Sequence, residues 1–180
     1  MASTSFSVQE ILNRVFDAVN NVLSIGGNVK FPATQVSSTN ANTLDDYEEG
    51  SWTPALSVAT PGTGITYSVQ VGRYVKTGKV VHIQGKLTTT SLGGGSGAVA
   101  LTGLPFTTEN TTNSYSSVQV ANASGLAITA GQSLTGYIDI NATTAPFEIW
   151  SAITGIAGLA ASEWTDDGSI VFSGTYIAAA

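Results

Sequence analysis

Apolar residues recur at Val8, Ile11, Leu12, Val15, Phe16, Val19, Val22 and Leu23, the three-and-four spacing that places side chains on one face of a helix. The start of that run is marked. Ser7 can accept from the backbone N–H of Glu10 while the Glu10 carboxylate reaches back to the N–H of Ser7, a capping box. Phe6 and Ile11 fill the two positions of a hydrophobic staple, and Gly26-Gly27 supplies a stop. A helix of about 17 residues is roughly 26 Å long, and a helix this short is marginal in water unless its apolar face is covered. The pattern therefore predicts an N-terminal helical segment over residues 1–27 that attaches to something. Docking on the rest of the chain and packing with symmetry mates or a larger particle both fit.

Residues 28–43 carry Ser, Thr, Asn and Ala with neither helical nor strand periodicity and read as an extended linker, which passes into an acidic junction ending at Gly50. From Ser51 onward the period becomes two. Tyr67, Val69 and Val71 alternate with Thr66, Ser68 and Gln70. Val81, Ile83 and Leu87 oppose His82, Gln84 and Lys86, and Leu134, Ile138 and Ile140 oppose Thr135, Tyr137 and Asp139. The run Ile170-Val171-Phe172-Ser173-Gly174-Thr175-Tyr176-Ile177 predicts a last strand. Turn signals separate these stretches at Pro61-Gly62, Thr77-Gly78, Gly93-Gly94-Gly95, Gly131 and Asp166-Asp167-Gly168. The expectation is a mainly β protein: an N-terminal α-helix and linker, then an antiparallel β-sandwich, jelly-roll-like, over residues 51–180 with roughly eight to ten strands. Residues 151–163, rich in Gly and Ala, fit a loop, a weak helix or an irregular strand equally well.

Composition sharpens this in one respect. Charged residues are 10% of the chain, against about 25% in an average soluble domain, and Ser, Thr, Asn and Gly take their place. Neutral polar strands risk pairing at their edges, so low charge points toward an assembly that covers them. The net charge of −6 gives no electrostatic footprint for nucleic acid. There is no cysteine, and no uninterrupted apolar run approaches the roughly 20 residues that span a bilayer; no secretory signal pattern opens the chain. No cofactor and no membrane partner is expected.

Candidate chemistry is sparse. Asp45, Asp46, Glu48 and Glu49 invite a hard-cation site or the paired acids of a glycosidase, but neighbours on one segment rarely hold the separation hydrolysis needs. A solvated acidic junction, or one whose acids pair with Arg73, Lys76 and Lys79 of a neighbouring subunit, is the preferred reading, with no metal and no catalytic residues assigned. His82, the one histidine, lies within a strand on its polar side and reads as a surface or interface residue rather than a general base. Gly93-Gly94-Gly95-Ser96-Gly97 lacks the Lys and helix start of a phosphate loop. Trp150 and Trp164 either stack on sugars or fill the core, the commoner fate.

The opening Ser5-Phe6-Ser7-Val8-Gln9-Glu10-Ile11-Leu12-Asn13-Arg14-Val15-Phe16-Asp17 resembles a short N-terminal module of phage tail-fibre and appendage proteins. Asn42-Thr43-Leu44-Asp45-Asp46-Tyr47-Glu48-Glu49-Gly50-Ser51-Trp52-Thr53-Pro54 is similar to a junction in phage fibre and receptor-binding proteins. There it precedes a β domain whose first hairpin resembles Val71-Gly72-Arg73-Tyr74-Val75-Lys76-Thr77-Gly78. Gly103-Leu104-Pro105-Phe106 and Ser173-Gly174-Thr175-Tyr176 fit the same pattern. The resemblance implies a virion protein, a homotrimer that contacts other phage virion proteins of the tail, neck or capsid. The expected function is a short structural fibre, adaptor or decoration protein. A host-surface glycan receptor-binding module is the alternative, and an exported polysaccharide depolymerase a third.

Overall fold

The computed structural model describes residues 16–17, 22–23, 31, 38, 40 and 43–179. The chain divides into two compact units, Met1–Ala33 and Thr34–Ala180. In the first, β1 (Phe16–Asp17) pairs antiparallel with β2 (Val22–Leu23), with Phe16 opposite Leu23 and Asp17 opposite Val22. At these positions the chain is strand where helical spacing predicts helix. Aromatic and β-branched residues favour strands, and the intervening Asn20-Asn21 is a poor helix pair and a favoured turn pair, so local preference competes with the period. The rest of the expected helix, with Val8, Ile11, Leu12, Val15 and Val19, lies outside the described residues.

The second unit is one antiparallel sheet. Its strands are β3 (Tyr47–Trp52), β4 (Ala55–Thr60), β5 (Thr66–Thr77), β6 (Val80–Ser91), β7 (Ser96–Thr102) and β8 (Ser116–Leu126), then β9 (Gln132–Ile138), β10 (Thr144–Ser151), β11 (Gly155–Gly158) and β12 (Trp164–Ile177). The pairing path runs β3-β5-β6-β12-β8-β9-β10-β7-β4, with β11 added alongside β10. Thus a curled single sheet stands where two facing sheets of a jelly roll are expected. Alternation tells which positions face the core, but it does not tell which strands are neighbours. The sheet also begins at Tyr47, inside the stretch read as linker and junction.

The two ends of the path, β3 and β4, are successive pieces of one chain separated by Thr53-Pro54. Proline has no N–H, so a ladder cannot run through it. Here β3 stops pairing with β5 and β4 starts pairing with β7, while the Pro54 carbonyl accepts the side-chain N–H of Gln70 at 2.9 Å. The core lies on the inner face. Val81, Ile83 and Leu87 of β6 pack there with Ile170, Phe172 and Tyr176 of β12, Val99 and Leu101 of β7, and Phe147 and Ile149 of β10. Each such side chain contributes about 1.5–3 kcal/mol by leaving water. Residues 151–163 resolve into the β10–β11 hairpin and a 3-10 turn at Ala161–Glu163.

β5 departs from simple alternation. Its pairing with β6 shifts register between Thr66 and Tyr67 and again between Tyr67 and Val69. A bulge of this kind exchanges the two faces of a strand. Tyr67 points inward, its hydroxyl accepting the N–H of Leu56 at 2.8 Å, whereas beyond the bulge Gly72, Tyr74 and Lys76 take the inner positions. Val71, assigned by alternation to the same side as Tyr67, is instead 54% exposed on the outer face.

Candidate functional site

The acidic junction is built into the sheet rather than held apart from it. The β3–β5 register sets Glu48 against Lys76, Gly50 against Tyr74 and Ser51 against Arg73. A strand turns successive side chains to opposite faces, so the acids separate. Asp45 accepts the backbone N–H of Ser38 at 2.9 Å, and Glu49 accepts the Tyr47 hydroxyl at 2.9 Å. Asp46 forms a buried ion pair with Lys76, and Glu48 accepts the hydroxyl of Tyr74. For Asp46 and Lys76, then, the charge pairing expected across a subunit boundary is made within one chain, because the β5–β6 hairpin folds back along the junction. Among the described residues no three His, Cys, Asp or Glu side chains group in a metal-binding arrangement.

This pair stands at the edge of an aromatic lock. Lys76 Nζ lies 5.3 Å from the centroid of the Phe106 ring, close enough for cation–π attraction. Tyr74 meets the same ring edge-on at 5.3 Å. Tyr176 holds the Phe106 backbone: its hydroxyl accepts the Phe106 N–H at 3.2 Å and donates to the Phe106 carbonyl at 3.0 Å. Phenol ionisation is suppressed in both tyrosines. The hydrogen bond to the Glu48 carboxylate, then burial, pushes Tyr74 up to about 12, and burial pushes Tyr176 up to about 12. Of the segments that resemble phage fibre sequence, 71–78, 103–106 and 173–176 therefore meet at Phe106, and residues 42–54 reach it indirectly, through Glu48 on Tyr74 and Asp46 on Lys76. Their side chains close the fold there, beside a shallow recess of about 390 Å³ lined by Glu49, Gly50, Arg73, Tyr74 and Val75.

In-strand glycines complete that closure. Trp52 lies over Gly72, its cross-strand partner; a Cβ on Gly72 would come 2.4 Å from Trp52 Nε1. Tyr74 covers Gly50 and Phe172 covers Gly85 in the same way. A missing side chain beneath each ring lets the aromatic lie flat on the strand.

The remaining sequence-selected residues lie apart from the lock. Trp164 is buried, its Nε1 donating to Thr89 Oγ1 at 2.8 Å, whereas Trp150 is 48% exposed. Lys79 sits in the β5–β6 turn beside Gly78, at φ 56° the positive-φ residue such a tight hairpin requires. His82 is exposed on the outer face, with Nδ1 3.1 Å from Thr175 Oγ1. A hydroxyl and an imidazole in contact form half of a nucleophile–base arrangement. A catalytic site needs in addition a group that orients the ring, and the described hydrogen bonds bring no carboxylate to it.

Around His82 the outer face is a polar lattice. One row crosses eight strands in register: Ser51, Arg73, Gln84, Ser173, Gln119, Thr135, Glu148 and Gly158. Beside its Arg73 end opens a shallow groove of about 460 Å³ lined by Val71, Ala121, Val171 and Phe172 and flanked by Arg73, Gln84 and Lys86. Sequence alternation misses this groove because the β5 bulge turns Val71 outward.

The fold is similar to part of a phage tailspike. The crystal structure of the Dettilon tailspike protein superposes with a TM-score of 0.62 at 18% identity, covering 73% of this chain and 24% of that one. The likeness at this identity is one of fold, and the chain spans about a quarter of the length of that protein. No family model and no curated protein matches the chain in sequence.

Proposed function

We propose that the chain is a non-enzymatic structural protein of a bacteriophage virion: a short trimeric fibre, adaptor or decoration protein attached through its N-terminal segment. The observation that carries this reading is a fold like that of a tailspike, in which three of the segments with phage-fibre resemblance, 71–78, 103–106 and 173–176, meet at Phe106. Replacing Leu12 and Val19 with Asp tests it. Purified particles made with the double variant should lack the protein while the variant retains a β-sheet circular-dichroism spectrum. Normal incorporation would overturn the attachment role.

A second reading, recognition of a host-surface glycan, draws on the outer row of Gln84, Ser173, Gln119 and Thr135. Such amide and hydroxyl groups match sugar hydroxyls, and binding to a glycan array that is lost with Gln119→Ala would support it. The depolymerase reading has less behind it, since the junction acids are engaged separately with Ser38, Lys76, Tyr74 and Tyr47. Purified protein should release no reducing sugar from host capsule or lipopolysaccharide. Release that disappears with Asp45→Asn or Asp46→Asn would establish an enzyme instead.

A further inference from the structure

Two outer-surface features fit each other. The first is the β10–β11 hairpin. Trp150 and Ile156 face each other across its strands and are 48% and 58% exposed, while Ile153 at the turn is 94% exposed. No charged residue lies between Trp150 and Gly158, and Glu148 sits at the base on the same side as Trp150. Exposed large apolar side chains cluster this way where a partner is met. The second is the Val71–Val171 groove, with an apolar floor and the cations Arg73 and Lys86 at its rim.

We propose that the hairpin of one copy seats Trp150, Ile153 and Ile156 in the Val71–Val171 groove of a second copy, with Glu148 beside Arg73 and Lys86. This rests on the reading of the chain as an oligomeric appendage protein and names the contact that builds the oligomer. The occupant is a second copy for two reasons. Charge is complementary, since the groove lining holds two cations and no acid while the hairpin's one nearby charge is a carboxylate. Reach is the other. Four strand spacings separate β12 from β11 along the pairing path, about 19 Å, and both features lie on the same outer face of one sheet, so the hairpin cannot fold into its own groove. A contact joining two different patches is head-to-tail, and around a three-fold axis it closes with every groove filled. The three apolar side chains form the desolvated centre, and the row of Gln, Ser and Thr forms a polar rim.

Multi-angle light scattering and sedimentation of the full chain test this. Wild type should run near three times its 18.4 kDa chain mass. Ile153→Asp and Val71→Asp change exposed positions, so each should keep its circular-dichroism spectrum and melting temperature while associating roughly 100-fold more weakly, as loss of an interface anchor does. Mixing these two variants should restore one contact, an intact hairpin from one meeting an intact groove from the other, and give a dimer that neither forms alone. Arg73→Glu should weaken assembly, and adding Glu148→Arg should recover it. Both single variants running at the wild-type mass would overturn the groove contact and leave the trimer intact. A wild-type chain that is monomeric at micromolar concentration would overturn the contact and the trimer together.

Discussion

Lys76 shows how much a single buried charge depends on its partner. Its side chain is 4% exposed and that of Asp46 6%, so neither can turn to water if the other is lost. Removing one partner of a buried pair costs about 3–5 kcal/mol, whereas replacing both by apolar groups of similar volume is often neutral. Asp46→Ala should therefore lower the denaturant midpoint sharply, and Asp46→Leu with Lys76→Met should recover most of the loss. Equal destabilisation by the single and double variants would show that packing, not charge, decides this site. Tyr176 adds a pH dependence. Its phenol is raised from 10.0 to about 12 by burial, so the folded state favours the protonated form. That contribution is complete below pH 10 and is lost as pH rises toward about 12. Tyr176→Phe should flatten the alkaline fall in stability. It should also cost about 1–3 kcal/mol at neutral pH, because the Phe106 peptide groups lose their partner. Chemical denaturation at stepped pH reads both effects.

At the scale of elements, the bulge in β5 has the widest consequence. Tyr67 and Lys76 both face inward only because Ser68 is the extra residue between the pairs Tyr67–Thr89 and Val69–Thr88. Without it the count from Tyr67 to Lys76 matches that from Thr89 to Val81, and plain alternation places both side chains inward. The Tyr67–Leu56 hydrogen bond at 2.8 Å and the inward placement of Lys76 should therefore both survive deletion of Ser68. Deletion should cost no more than the roughly 0.5–3 kcal/mol usual for a point substitution, measured by urea denaturation. An unfolded Ser68-deleted protein would show that the bend at the bulge, and not only the facing of the side chains, is required. The same element marks the boundary of what the sequence makes legible. Val81, Ile83 and Leu87 announce their inward face because nothing interrupts their period. Val71 misleads, since this bulge has no glycine or proline to signal it. Gly50, Gly72 and Gly85 give no signal either, as the ring that requires each lies on another strand. The charged residues of the junction are visible as a set, but pairing Asp46 with Lys76 needs the strand order, which a period of two does not contain. Trp164 illustrates the same gap: burial was the expected fate of such a residue, yet its partner Thr89 is unforeseeable 75 positions away.

For the whole molecule, the order of pairing makes the last strand the organising one. β12 lies between β6 and β8 and joins the hairpin β5–β6 to the meander β8-β9-β10. It supplies Ile170, Phe172 and Tyr176 to the core, and without it the two groups of strands share no ladder on that side. At the other extreme, β11 pairs only with β10, and β3 and β4 each pair with a single neighbour. Local opening is easiest where a strand is held on one side and little apolar surface is exposed by releasing it; a strand held on both sides and buried opens only with the fold. Backbone amides of residues 170–176 should therefore exchange hydrogen last, at the rate of global unfolding, and those of residues 155–158 first in the monomer. If the hairpin contact forms, protection of 155–158 should rise with protein concentration while that of 170–176 stays fixed. Hydrogen-exchange mass spectrometry at two concentrations measures this directly. Amides of 170–176 exchanging as fast as those of 155–158 would mean that the sheet opens in its middle, and that the central place of β12 in the pairing path does not set its stability.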